Sequence, residues 1–140
     1  MRRVAFLERR EKVTDMAKIL IVEDDADIRR GLMVRLRANK YDTVWTQDAI
    51  SVTGIAEREK PDLIVLDIGL PGGDGFLVLE RLKSMGLEIP IIVLSARDPD
   101  LNRGRALAAG AKAFLEKPAD NRELLAAIRA ALTGSGAARA

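Results

Sequence analysis

The sequence predicts an α/β fold, a doubly wound parallel sheet of five strands with a helix after each strand. Three observations carry that prediction. Short apolar runs rich in Ile and Val, namely Ile19-Leu20-Ile21-Val22, Leu63-Ile64-Val65-Leu66 and Ile91-Ile92-Val93-Leu94, are continuous and do not alternate with polar residues. Such runs form strands buried on both faces, as in parallel sheets covered by helices. Segments with helical apolar spacing lie between the runs, joined by short connections. The runs also stop abruptly, at Glu23-Asp24-Asp25, at Asp67 and at Ser95, while Ala113-Phe114-Leu115-Glu116 stops at Lys117-Pro118. Open parallel sheets bind ligands at the carboxyl ends of their strands. Carboxylates, a hydroxyl and an ammonium are therefore expected to converge on one edge.

Each element has its own signals. After the first strand, Asp25 or Asp27 is positioned to cap a helix whose apolar residues Ile28, Leu32 and Leu36 recur every four positions, ending at Asn39-Lys40. Tyr41 to Thr46, with its β-branched and aromatic residues, is the second strand. Asp48 to Glu59 is a helix burying Ile50 or Val52 and Ile55-Ala56, stopped before Pro61. Asp62 to Leu66 is the third strand, and the turn-rich stretch Gly69 to Gly75 follows it. Phe76, Leu79 and Leu82 lie at helical spacing, and Pro90 opens the fourth strand. Residues 100–109 form an alanine-containing helix that ends at Gly110. Ala113 to Glu116 is the fifth strand, and Asp120 caps a last helix carrying Leu124, Leu125, Ile128 and Leu132. This (βα)5 alternation, with right-handed crossovers, points to the flavodoxin-like strand order 2-1-3-4-5.

Composition narrows the chemistry. A chain of 140 residues fits one domain, and 48% hydrophobic with 31% charged residues is ordinary for a globular protein. Residues 1–16 are expected to form a flexible extension, 17–133 the folded domain and 134–140 a flexible tail. Cysteine and histidine are both absent, which excludes disulfides, thiolate metal sites, Ser/His/Asp machinery and an imidazole base. The net charge of +2 arises within residues 1–15, and the remainder is balanced at 18 charges of each sign. No clustered basic face for direct nucleic acid contact is expected. No stretch approaches the roughly 20 apolar residues of a membrane span, so a cytoplasmic location is expected.

In the 2-1-3-4-5 order the first and third strands meet at the topological switch point, bringing Glu23, Asp24 and Asp67 together. Three close carboxylates repel unless a cation lies among them. Mg²⁺ suits the set, because it takes oxygen ligands and is typically held by one or two carboxylates plus phosphate oxygens. Asp67 is the best candidate nucleophile, since aspartates form aspartyl phosphates. Ser95 is placed to donate to a phosphoryl oxygen, and Lys117 to pair with Asp67 before phosphorylation and with phosphate afterwards. Each residue alone would be an unremarkable strand-end group; the set is specific.

Four segments carry a resemblance: Ile19 to Asp25, Pro61 to Gly75, Ile91 to Ala96 and Ala111 to Pro118. They resemble the response-regulator receiver domain (CheY-like) of two-component signalling, over roughly residues 17–132. The resemblance implies that Asp67 accepts a phosphoryl group from a histidine kinase or phosphotransfer protein. It implies that Asp24 ligates Mg²⁺ directly, that Glu23 acts mainly through water, and that the Gly69 carbonyl adds a ligand. Ser95, Lys117 and the Ala96 amide would hold phosphoryl oxygens, with Ser95 and Phe114 as the switch pair. Lys117-Pro118 matches a position where the peptide bond is often cis. A downstream protein target would be met on the face of helix 4, strand 5 and helix 5, where Arg103, Arg105, Lys112, Arg122 and Arg129 lie. The protein would be a monomer or a phosphorylation-dependent dimer.

Two departures shape these expectations. Phe114 has no hydroxyl, so any output contact through a tyrosine oxygen is missing. Gly69, two residues after the acceptor, has no side chain to position water, which predicts a long-lived phosphorylated form. The same glycine argues against a haloacid-dehalogenase-type phosphatase, which expects a second Asp there. Arg97 is placed to touch phosphate or a partner, with a plain solvated surface position as the equal alternative. About eight residues follow the last helix, so a single-domain receiver is expected. The alternatives are a receiver-like scaffold that works without phosphorylation and the receiver part of a longer DNA-binding regulator.

Overall fold

The structure is a computed structural model and describes residues 16–69, 75–96 and 99–139, with side chains described to Thr133. The extension over residues 1–15, most of the turn after the third strand, and Arg97 lie outside the described residues. Five strands, β1 (Lys18–Val22), β2 (Asp42–Thr46), β3 (Leu63–Asp67), β4 (Ile91–Ser95) and β5 (Ala113–Glu116), form one parallel sheet. Its order is β2-β1-β3-β4-β5, as predicted. The helices are α1 (Ala26–Ala38), α2 (Val52–Glu59), α3 (Gly75–Ser84), α4 (Pro99–Ala108) and α5 (Asn121–Arg139).

The strands are apolar on both faces because both faces are covered. Successive side chains point to opposite sides of a strand, and each side has its own core. Ile19, Ile21, Leu63, Val65, Ile92 and Leu94 pack with Leu32 and Leu36 of α1 and with Leu124 and Ile128 of α5. On the other side Leu20, Val22, Ile64, Leu66 and Val93 meet Val52 and Ala56 of α2, Phe76, Leu79 and Leu82 of α3, and Ala106 of α4. Leu20, Ile64, Leu66, Ile92, Leu124 and Ile128 are wholly inaccessible to solvent. At about 25 cal/mol per Å² of apolar surface, this two-sided burial is the main drive to fold.

Element ends follow local hydrogen bonding. Asp25, not Asp27, caps α1, its side chain accepting from the Asp27 and Ile28 amides at 2.9 and 3.0 Å. The second helix starts at Val52 and not at Asp48, because Asp48 Oδ1 accepts from the Ser51 amide (2.9 Å) and turns the chain first. Of the alternatives at its start, Val52 is buried and Ile50 stands out at 68% exposure. β3 extends one residue beyond the apolar run, so Asp67 is itself a strand residue paired with Leu94. α5 continues to Arg139, through most of the stretch assigned to a tail. The Thr133 hydroxyl donates to the Arg129 carbonyl at 2.7 Å, inside the helix.

One glycine is demanded by close approach. A Cβ on Gly75 would lie 2.5 Å from the Ile68 Cα, so only glycine lets α3 start directly against the residue that follows Asp67.

A candidate metal and phosphoryl site at the carboxyl edge of the sheet

The register sets the site. Val22 pairs with Leu66, Asp67 with Leu94, and Ser95 with Glu116, so Glu23, Asp67, Ser95 and Lys117 end their strands at one level. Oxygens of Glu23, Asp24 and Asp67 lie within 4.8 Å of one another. Lys117 bridges two of these acids, its Nζ 2.6 Å from Glu23 Oε1 and 3.0 Å from Asp67 Oδ2. The bridge is well shielded: the side chains of Glu23, Asp67 and Lys117 are 2%, 12% and 14% exposed. Asp24, by contrast, is exposed and opens the cluster to solvent.

Backbone contacts aim these groups. The Gly69 amide donates to Asp67 Oδ1 at 2.9 Å, so both carboxylate oxygens of Asp67 are oriented. The Lys117 amide donates to the Ser95 carbonyl at 2.9 Å, tying the lysine to the end of β4. Ser95 is buried, Ala96 is exposed at the mouth, and the Lys117-Pro118 peptide is cis. The structure thus brings Glu23, Asp24, Asp67, Gly69, Ser95 and Lys117 to one edge. It leaves Phe114 buried beneath that edge.

Burial pushes the Glu23 carboxyl up from its ordinary 4.5, against the pull of Lys117. Burial also opposes the charge on Lys117, but the hydrogen bonds and charges of Glu23 and Asp67 outweigh it, and its value is raised above 10.5. One ammonium faces three acids. The donor set fits a hard divalent cation: oxygens only, with an excess of negative charge over the one lysine.

Two features escaped the sequence reading. Arg29 Nη1 donates to the Glu23 carbonyl at 3.0 Å while its guanidinium lies 3.9 Å over the Trp45 ring. Nothing in the spacing of Arg29 marks it apart from Arg30. The second concerns α4, on the face expected to meet a downstream target. Arg103 Nη1 donates to the Phe114 carbonyl at 2.9 Å, and its guanidinium lies 5.1 Å from the Phe114 ring. Arg105 stacks 3.8 Å over Phe76.

The fold is a five-stranded doubly wound sheet whose carboxyl edge gathers three acids and a lysine, and comparison with known proteins gives the family. The family model for the response regulator receiver domain matches residues 19–129. The chain belongs to that family. It is 40% identical over 115 residues to the response regulator MprA of Mycobacterium sp. (strain KMS), covering 82% of this chain and 50% of that protein. Against MprA of Mycobacterium leprae the identity is 41%. The chain therefore spans about half the length of these curated relatives. Among solved structures, the BeF3-activated N-terminal receiver domain of Klebsiella pneumoniae RstA superposes with a TM-score of 0.79 at 34% identity. That match covers 83% of this chain and 98% of the other. The CheY-like receiver domain protein of Methanospirillum hungatei gives a TM-score of 0.80 at 28% identity, covering 86% and 97%. Among the described residues, no helix is long and apolar enough to cross a membrane.

Proposed function

We propose that this receiver domain is a phosphoacceptor: Asp67 takes a phosphoryl group from a histidine kinase or phosphotransfer protein, and the modified domain controls a protein partner in the cytoplasm. The observation that supports this most strongly is the Lys117 bridge between Glu23 and Asp67 at the switch point. The shielded Asp67 carboxylate attacks phosphorus, an O–P bond forms, and the P–N bond to the donor imidazole breaks with its electron pair returning to nitrogen. The Lys117 ammonium and the Ser95 hydroxyl bind phosphoryl oxygens, and the Ala96 amide adds a donor. Mg²⁺, held by Asp24, Asp67 and the Gly69 carbonyl with Glu23 acting mainly through water, would neutralise charge on the transferred group. Ser95 and Phe114 then pass the change on to the face of α4, β5 and α5. In a longer regulator like the relatives above, the same face would act on the rest of that chain.

Incubation with Mg²⁺ and a small acyl- or amidophosphate, followed by intact mass measurement, tests the reading. One added phosphoryl group in the wild type and none in Asp67→Asn is expected. No addition to the wild type with either donor would favour a scaffold that works unphosphorylated. Because Gly69 has no side chain to position an attacking water, the phosphorylated form is expected to be long-lived. Rapid loss of phosphate from the purified protein in Mg²⁺ would sink that part.

A further inference from the structure

Arg29 lies in the first turns of α1 and reaches back over the end of β1. Its Nη1 donates to the Glu23 carbonyl at 3.0 Å, and its guanidinium is seated 3.9 Å over the ring of Trp45 in β2. On the other side of the same residue, the Glu23 amide donates to the Thr46 carbonyl at 3.1 Å. The main chain of Glu23 is therefore gripped at both polar atoms, once by the end of β2 and once by an arginine resting on β2.

This grip bears directly on the acid cluster. The Glu23 carbonyl carbon is bonded to the Asp24 nitrogen, so the plane of that peptide sets the direction in which Asp24 leaves β1. Asp24 is exposed and has no hydrogen-bond partner among the described residues. The aim of its side chain thus depends on its backbone. A neighbouring arginine shows no such link among the described residues: Arg30 pairs with Asp27 at 3.4 Å, the two side chains 73% and 93% exposed.

We infer that Arg29 is a positioning residue: through the Glu23 carbonyl and the Trp45 ring it holds the Glu23–Asp24 peptide so that both carboxylates face Asp67 around one cation. The inference rests on the Mg²⁺ reading of the site. A planar guanidinium can stack on an indole and donate from its edge at the same time, which a lysine ammonium cannot reproduce.

Calorimetric titration of the 140-residue chain with MgCl2 tests the inference, alongside phosphorylation by a small phosphodonor at varied Mg²⁺. Groups that orient metal ligands typically alter affinity about 10- to 100-fold. Arg29→Ala is expected to weaken Mg²⁺ binding about tenfold and to raise the Mg²⁺ concentration needed for phosphorylation, with the rate at saturating Mg²⁺ preserved. Arg29→Lys should lie between wild type and Arg29→Ala, and Arg30→Ala should match the wild type. Trp45→Ala should weaken binding, and adding it to Arg29→Ala should do no further harm. If Arg29→Ala does not fold, Arg29→Lys carries the test. A folded Arg29 variant with wild-type Mg²⁺ affinity overturns this inference alone. A wild type that takes no Mg²⁺ overturns the metal reading and this inference with it.

Discussion

The two edges of the sheet use the same kinds of charged residue to opposite ends. At the amino edge, Lys18 Nζ lies 3.2 Å from Glu59 Oε1, and the Lys18 amide donates to Asp62 Oδ2 at 2.8 Å. There Glu59 meets two cations, Lys18 and Arg58 (3.4 Å to Oε2), and Lys18 and Glu59 are each about a third exposed. At the carboxyl edge a single lysine bridges two shielded acids beside a third. Ion pairs open to solvent cost little to form and contribute little. A shielded excess of carboxylates is costly to the fold unless a cation offsets it. The imbalance, more than the presence of charge, separates the carboxyl edge, where the proposed site lies, from the amino edge.

The sharpest way to break this contrast is to remove each lysine. Lys117→Met leaves the buried Glu23 charge without its nearest counter-charge and is expected to lower stability by about 2–3 kcal/mol in metal-free buffer at neutral pH. Mg²⁺ should return part of that loss, as read by urea unfolding with and without the ion. A loss below about 0.5 kcal/mol would mean that the bridge is as weak as a surface pair.

The two glutamates should respond to pH in opposite directions. Glu23 is raised by burial, so folding favours its protonated form. Its contribution is full below 4.5 and fades as pH rises through its raised value. Glu59 is lowered by its hydrogen bonds to Lys18 and Arg58, so its contribution is present above 4.5 and is lost as pH falls through its lowered value. Stability curves of Glu23→Gln and Glu59→Gln should therefore depart from wild type with opposite slopes. Matching slopes would refute the contrast. Lys117, raised above 10.5, keeps its contribution at all lower pH and loses it only as pH climbs through the raised value. The smallest effect belongs to Lys18→Met, expected within about 1 kcal/mol because its partner is solvated.

Much of this was legible from residue order, and the misses have physical causes. The apolar runs and their polar stops located the strands and the edge that carries Glu23, Asp24, Asp67, Ser95 and Lys117. Local hydrogen bonds that compete with helix formation moved the start of α2 from Asp48 to Val52. Arg29 was not distinguishable from Arg30, because its partners, the Glu23 carbonyl and the Trp45 ring, lie on two strands that only the folded sheet makes adjacent. The ring contacts of Arg103 and Arg105 were not legible for the same reason: Phe114 and Phe76 come within reach of α4 only in the folded chain.

By itself, the sequence determined the alternation of strands and helices, the absence of imidazole and thiol chemistry, and the identity of the groups at the strand ends, because these follow from periodicity and side-chain chemistry. Only the tertiary structure decided that Lys117 bridges Glu23 and Asp67, that α1 and α5 share one face while α2, α3 and α4 share the other, and that Arg29 grips the acid loop. Those are contacts between residues far apart in the chain or on separate elements. Strand pairing and burial bring them within a few ångströms, and no local pattern encodes that distance.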